Sequence, residues 1–227
     1  MDVQLVCRSP ESASYNWVMA PTPTLSIAQI VPATEAEGPG RRFAIWFQGC
    51  PLRCPACCNP EMLPFVGGAQ RPIGEVVAEI ATAHRDLGVE GITLLGGEPL
   101  AHAAGAAVLA RETQRIGLTV MVFTGYTLDE ARSLPDPAVA DLIAHTDILV
   151  DGPYVRGLPD TRRRWIGSTN QRIHFLSDRY RADDSCWRER NTLEIRVRGG
   201  EVSVNGFPAP QAVGLWRKPK KASGHTQ

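Results

Sequence analysis

Gly49-Cys50-Pro51-Leu52-Arg53-Cys54-Pro55-Ala56-Cys57-Cys58-Asn59-Pro60 follows closely on the apolar run Phe43-Ala44-Ile45-Trp46-Phe47. The apolar run reads as a buried strand. After it, Cys50, Cys54 and Cys57 stand at C-x-x-x-C-x-x-C spacing. A loop leaving a strand end can wrap three thiolates around one metal centre. Three sulfurs this close in sequence suit an iron-sulfur cluster, whose irons take Cys thiolates, and a fourth ligand from elsewhere would complete an ordinary electron carrier. The other case is a centre with no fourth protein ligand.

Other uses of the cysteines fit the pattern less well. A structural zinc site usually pairs two C-x-x-C knuckles, or one knuckle with two histidines, and no second knuckle of that kind is present. His84, His102, His145, His174 and His225 are scattered without ligand spacing, which speaks against a second metal site. Disulfides belong to secreted chains, and nothing marks this one as secreted. Cys58 adjoins the triplet, but adjacent loop residues rarely aim at one centre, so it reads as a packed thiol beside the site. Cys7 and Cys186 lie far off and read as ordinary half-buried cysteines.

The 227 residues suffice for one substantial core and are short for two. With 24 basic and 24 acidic side chains the formal charge is zero, so no global electrostatic case exists for nucleic acid or an anionic membrane. Arg162-Arg163-Arg164 and Arg217-Lys218-Pro219-Lys220-Lys221 read as solvated patches. The N-terminus lacks the basic and apolar regions of a signal peptide, and no apolar stretch reaches the roughly 20 residues that span a bilayer. A cytoplasmic chain is expected, and in a reducing compartment clustered cysteines serve metal or redox chemistry.

Residues 1–23 end in a Pro-Thr-Pro stretch and read as an N-terminal extension. Thr24 to Val31 alternates like a strand. From Phe43 onward strands and helices take turns. A helix is expected from Pro72 towards Gly88, a strand at Gly91–Leu95, a helix at Ala103–Ile116, and a strand at Leu118–Phe123. Helices near Leu128 and over Pro137–His145 precede a strand at Asp147–Val150. Such alternation implies right-handed crossovers and a parallel sheet covered on both faces. Each chemically interesting loop follows a strand C-terminus, the ligand-binding end of such sheets. Residues 181–207 contain two alternating runs about Gly199-Gly200, a β-hairpin that completes the sheet or docks a partner. The tail over 208–227 is expected to fray.

Gly96-Gly97-Glu98-Pro99 ends the second of these strands. Two glycines let the backbone approach a ligand, and the carboxylate can accept from an ammonium group, which would suit an amino acid. Alone, the same residues also describe a tight turn with an acid at a helix start.

Together with the cysteine triplet, Gly96-Gly97-Glu98-Pro99 resembles the radical S-adenosylmethionine (SAM) enzymes. More narrowly the chain resembles the activating enzymes of anaerobic ribonucleoside-triphosphate reductases. That likeness rests on Gly38-Pro39-Gly40, Thr124-Gly125-Tyr126, Asp151-Gly152-Pro153-Tyr154 and Trp165-Ile166-Gly167-Ser168-Thr169-Asn170-Gln171, and it covers about Glu37 to Leu176. The resemblance implies an α/β fold, a partial (β/α) barrel over residues 24–180 with the hairpin as a C-terminal addition. It implies that Cys50, Cys54 and Cys57 bind three irons of one 4Fe-4S cluster, leaving the fourth iron to SAM. Gly96, Gly97 and Glu98 would hold the methionine amino group, Asn59 would contact SAM, and the backbone of Ala56, Cys57 and Cys58 would lie against adenine. Asp151 would approach the ribose or amino group, with Thr124 lining the same face.

The chemistry implied is reductive cleavage of SAM to methionine and a 5'-deoxyadenosyl radical, with the electron from a flavodoxin or similar reductant. That radical would take the Cα hydrogen of a glycine on a partner glycyl-radical enzyme, an anaerobic ribonucleotide reductase. No acid-base side chain is needed for this step. Ala56 and Cys58 depart from the glycine or aromatic residues usual at these places in the family. Two other readings stay open on sequence alone: radical chemistry on a peptide or small molecule, and a non-catalytic iron-sulfur or zinc module.

Overall fold

The computed structural model describes residues 23–199 and 201–206. Apart from Pro23, the expected N-terminal extension with Cys7 lies outside the described residues, as does the expected tail.

The apolar run before the cysteines is strand β2 (Arg42–Phe47), buried at every position. It lies parallel to β4 (Gly91–Gly96), which is followed across the sheet by β5 (Thr119–Phe123) and β6 (Ile148–Asp151), also parallel. Strand β1 (Thr24–Thr34) runs antiparallel on the other side of β2 and carries β3 (Ala69–Pro72) on its outer side. Strand β7 (Arg172–Phe175) closes the row antiparallel to β6. The order is β3-β1-β2-β4-β5-β6-β7, a mixed, parallel-rich α/β sheet with β3 and β7 as its edges. The sequence suggested neither edge strand. Each has four residues and charged or half-buried positions instead of an apolar run. Pro72, expected inside the first helical turn, instead ends β3 and occupies the N-cap of the next helix.

The crossovers are α1 (Ile73–Leu87), α2 (Ala103–Arg115), and the pair α3 (Leu128–Arg132) and α4 (Pro137–Ala144). Gly88 ends α1 in the left-handed conformation at φ 65°. Thr127 and Glu130 form a capping box on α3, and Asp136 caps α4 through the Ala138 amide. Strand alternation divides the side chains between two faces. Phe43, Ile45, Phe47, Ile92, Leu94, Val120, Val122 and Leu149 pack with the helices in one core. Ala44 and Trp46, and farther along Met121, Ile148 and Val150, face the other way. That second face is covered by Ile166, Tyr180 and Trp187 from irregular chain. Both faces are therefore covered as expected, but the helices lie on one of them.

The hairpin is present as β8 (Leu193–Arg198) and β9 (Glu201–Gly206), a separate two-stranded sheet instead of an addition to the large one. It is held by polar contacts to the end of β1 and the segment just after it. The Gly206 amide donates to Glu37 at 2.7 Å, Asn205 donates to Thr34 at 2.9 Å, and Arg196 donates to the Ala33 carbonyl at 2.7 Å. No helix among the described residues is long and apolar enough to cross a membrane.

Candidate functional site

The C-terminal ends of the four parallel strands carry every residue singled out for the site, and hydrogen bonds join their loops in sequence. The Gly97 amide donates to the Phe47 carbonyl at 2.8 Å and the Glu98 amide to the Gly49 carbonyl at 2.9 Å, tying the β4 loop to the cysteine loop. A Cβ at position 97 would stand 2.2 Å from the Gly49 oxygen, so only glycine allows this approach. Glu98 then reaches to the β5 loop. Its Oε1 accepts from the Thr124 hydroxyl at 2.8 Å and the Leu100 amide at 2.9 Å, and its Oε2 accepts from the Gly125 amide at 2.9 Å. The Gly152 amide donates to the Tyr126 carbonyl at 2.8 Å and ties in the β6 loop.

Glu98 is 1% exposed. Burial pushes its carboxyl up to about 7, against the pull of the three donors. It is both the expected helix-start acid, capping the 3-10 turn Pro99–His102, and a bridge between two loops. Two protein donors fill Oε1, and one acceptor position remains on Oε2. Asp151, also buried, accepts from the Leu128 amide at 2.8 Å and the Arg172 amide at 3.2 Å, and contacts His174 Nε2 at 2.8 Å. It joins β6 to α3 and β7, so most of its acceptor capacity serves the fold.

The cysteine loop is built differently. Arg53 and Ala56 both take positive φ, 47° and 60°, a conformation that side chains with a Cβ disfavour. These two reversals turn the chain sharply between the cysteines, with the Cys57 amide on the Cys54 carbonyl at 3.2 Å. Cys50 is buried, Cys54 and Cys57 are half-buried, and all are free thiols. Burial pushes the Cys50 thiol up, while the amides of Arg53 and Leu52 oppose it by donating to the thiolate. Cys58, expected as a packed thiol, is instead exposed. The adjacent Cys58 thiol draws the Cys57 thiol down to about 6 through a hydrogen bond to its thiolate, and the same bond, with desolvation of its sulfur, pushes Cys58 upward. Asn59 heads the 3-10 turn Pro60–Met62 with no hydrogen bond from its side chain to the turn.

Among the described residues no three His, Cys, Asp or Glu side chains are gathered as ligands for one metal ion. The donor set fits an iron-sulfur cluster on other grounds: a pure thiol triplet, unpaired, on one tightly wound loop, with amides turned to the sulfur of Cys50. The comparisons agree. Residues 36–174 match the family model described as a 4Fe-4S single cluster domain. Residue identity is 34% over 158 residues with the anaerobic ribonucleoside-triphosphate reductase-activating protein of Salmonella typhimurium, covering 65% of this chain and 97% of that protein. It is likewise 34% over 156 residues with the Escherichia coli K12 protein of that name, at the same coverage. The corresponding protein of Enterobacteria phage T4 is 28% identical over 157 residues, 66% of this chain and 94% of its own. The chain belongs to this 4Fe-4S family of activating proteins.

The remaining family motifs serve the loops. Gln171 accepts at Oε1 from the Gly167 and Ser168 amides, both at 3.0 Å, and donates to the Gly152 carbonyl at 3.1 Å. Asn170 donates to the Pro153 carbonyl at 2.7 Å. Two of the three arginines read as solvated are not. Arg163 donates to Asp160 and to the carbonyls of Gln171, Ser168 and Thr169, and Arg164 lies buried against Glu189 and stacked on Trp165. Their spacing carried no signal of this, because Arg163 is held by the folding of its own loop and Arg164 by the distant Glu189. Two recesses of about 550 and 480 Å³ are lined by mixed charges around Arg41; the second includes Arg164, and neither includes the cysteine triplet, Gly96, Gly97 or Glu98.

Proposed function

We propose that this chain activates an anaerobic ribonucleoside-triphosphate reductase by generating a glycyl radical on it, through reductive cleavage of SAM at a 4Fe-4S cluster. The observation that carries the reading is the wound triplet Cys50, Cys54 and Cys57 beside a glycine-rich loop that Glu98 fixes in place. In this reading the sheet is the partial barrel of the radical SAM enzymes.

The three thiolates would hold three irons. Bound together, the cluster and SAM supply the one-electron cleavage that yields an alkyl radical able to take a hydrogen atom. Everything else falls to the protein. The backbone at Gly96 and Gly97, unobstructed by side chains, would receive the amino group of SAM. The free acceptor position of Glu98 lies behind it. Ala56, Cys57 and Cys58 would offer backbone to the adenine, and Asn59 its uncommitted carboxamide. Thr124 and Asp151 would keep the β5 and β6 loops in register around the ligand, Thr124 through Glu98 and Asp151 through α3 and β7. A flavodoxin or similar protein would supply the electron.

The test is anaerobic. Iron and sulfide are reconstituted, the protein is reduced, and SAM is added with a candidate glycyl-radical reductase from the same cell. Deoxyadenosine that depends on Cys50, with a glycyl radical signal on the reductase, is the expected result. Cleavage without radical transfer would move the substrate elsewhere, and no cleavage from fully occupied protein would overturn the reading.

A further inference from the structure

We propose that Phe65 and Val66 form the docking point for the protein that delivers electrons to the cluster, on the flank of the cysteine loop opposite the substrate side. The proposal rests on the function just described. It begins with exposure: Phe65 is 54% and Val66 76% exposed, although both belong to a loop fixed firmly to the site. The Gly49 amide donates to the Met62 carbonyl at 2.8 Å and the Cys50 amide to the Leu63 carbonyl at 3.0 Å. Gln48 donates through Nε2 to the carbonyls of Glu61 and Pro64, at 3.1 and 2.7 Å. Two adjacent apolar side chains held out to water by a rigid support offer a small surface for contact.

Their place relative to the metal ligands names the partner. The Phe65 ring packs against Gly49, where a Cβ would stand 2.4 Å from it. Gly49 is bonded to Cys50, so a molecule resting on Phe65 is separated from a cluster ligand by one ring and one peptide. Behind Phe65 stands His102, at 6.2 Å between ring centroids, and behind that Phe47, stacked at 5.1 Å and 12°. Phe47 belongs to the helix-side core, which places this stack on the helix flank of the loop. On the other face the strand-end side chains Leu95 and Phe123 are half-buried, whereas their helix-side neighbours Leu94 and Val122 are fully buried. The proposed function assigns SAM and the partner glycine to that less buried face, which leaves the opposite flank to the electron donor.

The size of the patch agrees. Two such side chains offer on the order of 200 Å², far below the roughly 800 Å² per partner of a stable complex, and transient redox encounters lie at the small end of the range. A second copy of this chain would need a larger surface. The occupant is a small one-electron carrier with an apolar rim about its flavin or iron-sulfur group. One electron passes to the cluster, and no bond of this chain forms or breaks.

The test follows the bleaching of cluster absorbance by stopped flow in the full, cluster-containing chain, with either reduced flavodoxin or dithionite as donor. Val66→Asp should slow reduction by limiting flavodoxin at least tenfold and leave the dithionite rate and iron content unchanged. Phe65→Leu, which keeps an apolar cover on Gly49, should slow it less. Equal flavodoxin rates in wild type and Val66→Asp would overturn the proposal, as would equal slowing with both donors. So would a Val66→Asp defect confined to radical transfer to the reductase. If the wild type fails to cleave SAM even with dithionite, the functional reading falls instead.

Discussion

The two ends of the parallel strands both bury charged groups and satisfy them by hydrogen bonds, yet only the C-terminal end adds a row of free thiols. At the N-terminal end the Arg42 guanidinium is fully buried without a carboxylate partner within ion-pair reach. Its N–H groups are taken by Thr93 at 3.2 Å, Thr119 Oγ1 at 2.6 Å, the Thr119 carbonyl at 3.3 Å, the Ile92 carbonyl and Tyr180. Nearby Asp147 accepts from the Val120 amide and Ser177, and Glu37 accepts from Gly206. At the C-terminal end Glu98 and Asp151 are consumed in the same manner, but the thiols beside them are not. Burial of a charge therefore does not mark the site in this fold. What marks it is a set of free thiols that no disulfide or cation among the described residues engages, on a loop bent at a cost of roughly 1–3 kcal/mol per left-handed residue.

The largest test of that distinction removes one member from each end. Cys50→Ser should abolish cluster binding, read as iron content and visible absorbance near background after reconstitution, while the apoprotein melts close to wild type. Arg42→Met should do the reverse. It strands Thr93, Thr119 and the Ile92 carbonyl without their donor, which costs about 3–5 kcal/mol. In a domain of this size that lowers Tm by roughly 10 °C, and iron bound per folded chain should hold. If the two variants destabilise the apoprotein alike, the ends do not differ as described.

The same contrast explains what the sequence could carry. The cysteine triplet, the glycines at 96 and 97 and the alternating strands and helices were legible because each depends on local spacing or on a buried run. The roles of Glu98, Asp151 and Gln171 were not, because their partners lie in other loops and are joined only by the sheet. Glu98 read as a ligand contact or a helix-start acid, and its bridge between two loops was not part of either reading. Arg163 and Arg164 read as solvent-facing because three adjacent arginines look so in a linear string, and tertiary partners decide otherwise. Strands β3 and β7 escaped notice because short edge strands need neither apolar runs nor strict alternation. The left-handed conformations of Arg53 and Ala56 were announced by no residue type.

A smaller effect separates the roles of the loops themselves. Thr124→Val deletes the hydroxyl that donates to Glu98 at 2.8 Å and also accepts from the Tyr126 amide at 3.2 Å. A hydrogen bond to a charged acceptor contributes about 1.5–3 kcal/mol. The loss should fall on the β4 and β5 loops together: the dissociation constant for SAM on the cluster-containing protein should rise about tenfold, with iron content unchanged and Tm a few degrees lower. A variant with wild-type SAM affinity would show that Glu98 holds its loop without help from β5.

The smallest expected effect lies at the closed end and depends on pH. Burial raises the Glu37 carboxyl from 4.5 to about 7, while the Gly206 amide and Asn205 pull the other way, and Glu194 and Arg196 act weakly in opposite senses. The docked state thus binds this proton more tightly than the undocked one. Its contribution to docking is complete below pH 4.5, declines as pH rises from there, and is gone above about 7. Exchange of the hairpin amides over Leu193–Arg198, corrected for intrinsic rates, should therefore quicken between pH 5 and 8 on the order of tenfold. Glu37→Gln keeps an acceptor for Gly206 and cannot ionise, so its hairpin should exchange slowly at both pH values. If wild type and variant respond to pH alike, the hairpin is held by Asn205 and Arg196, and the buried carboxyl at this end is a bystander to docking.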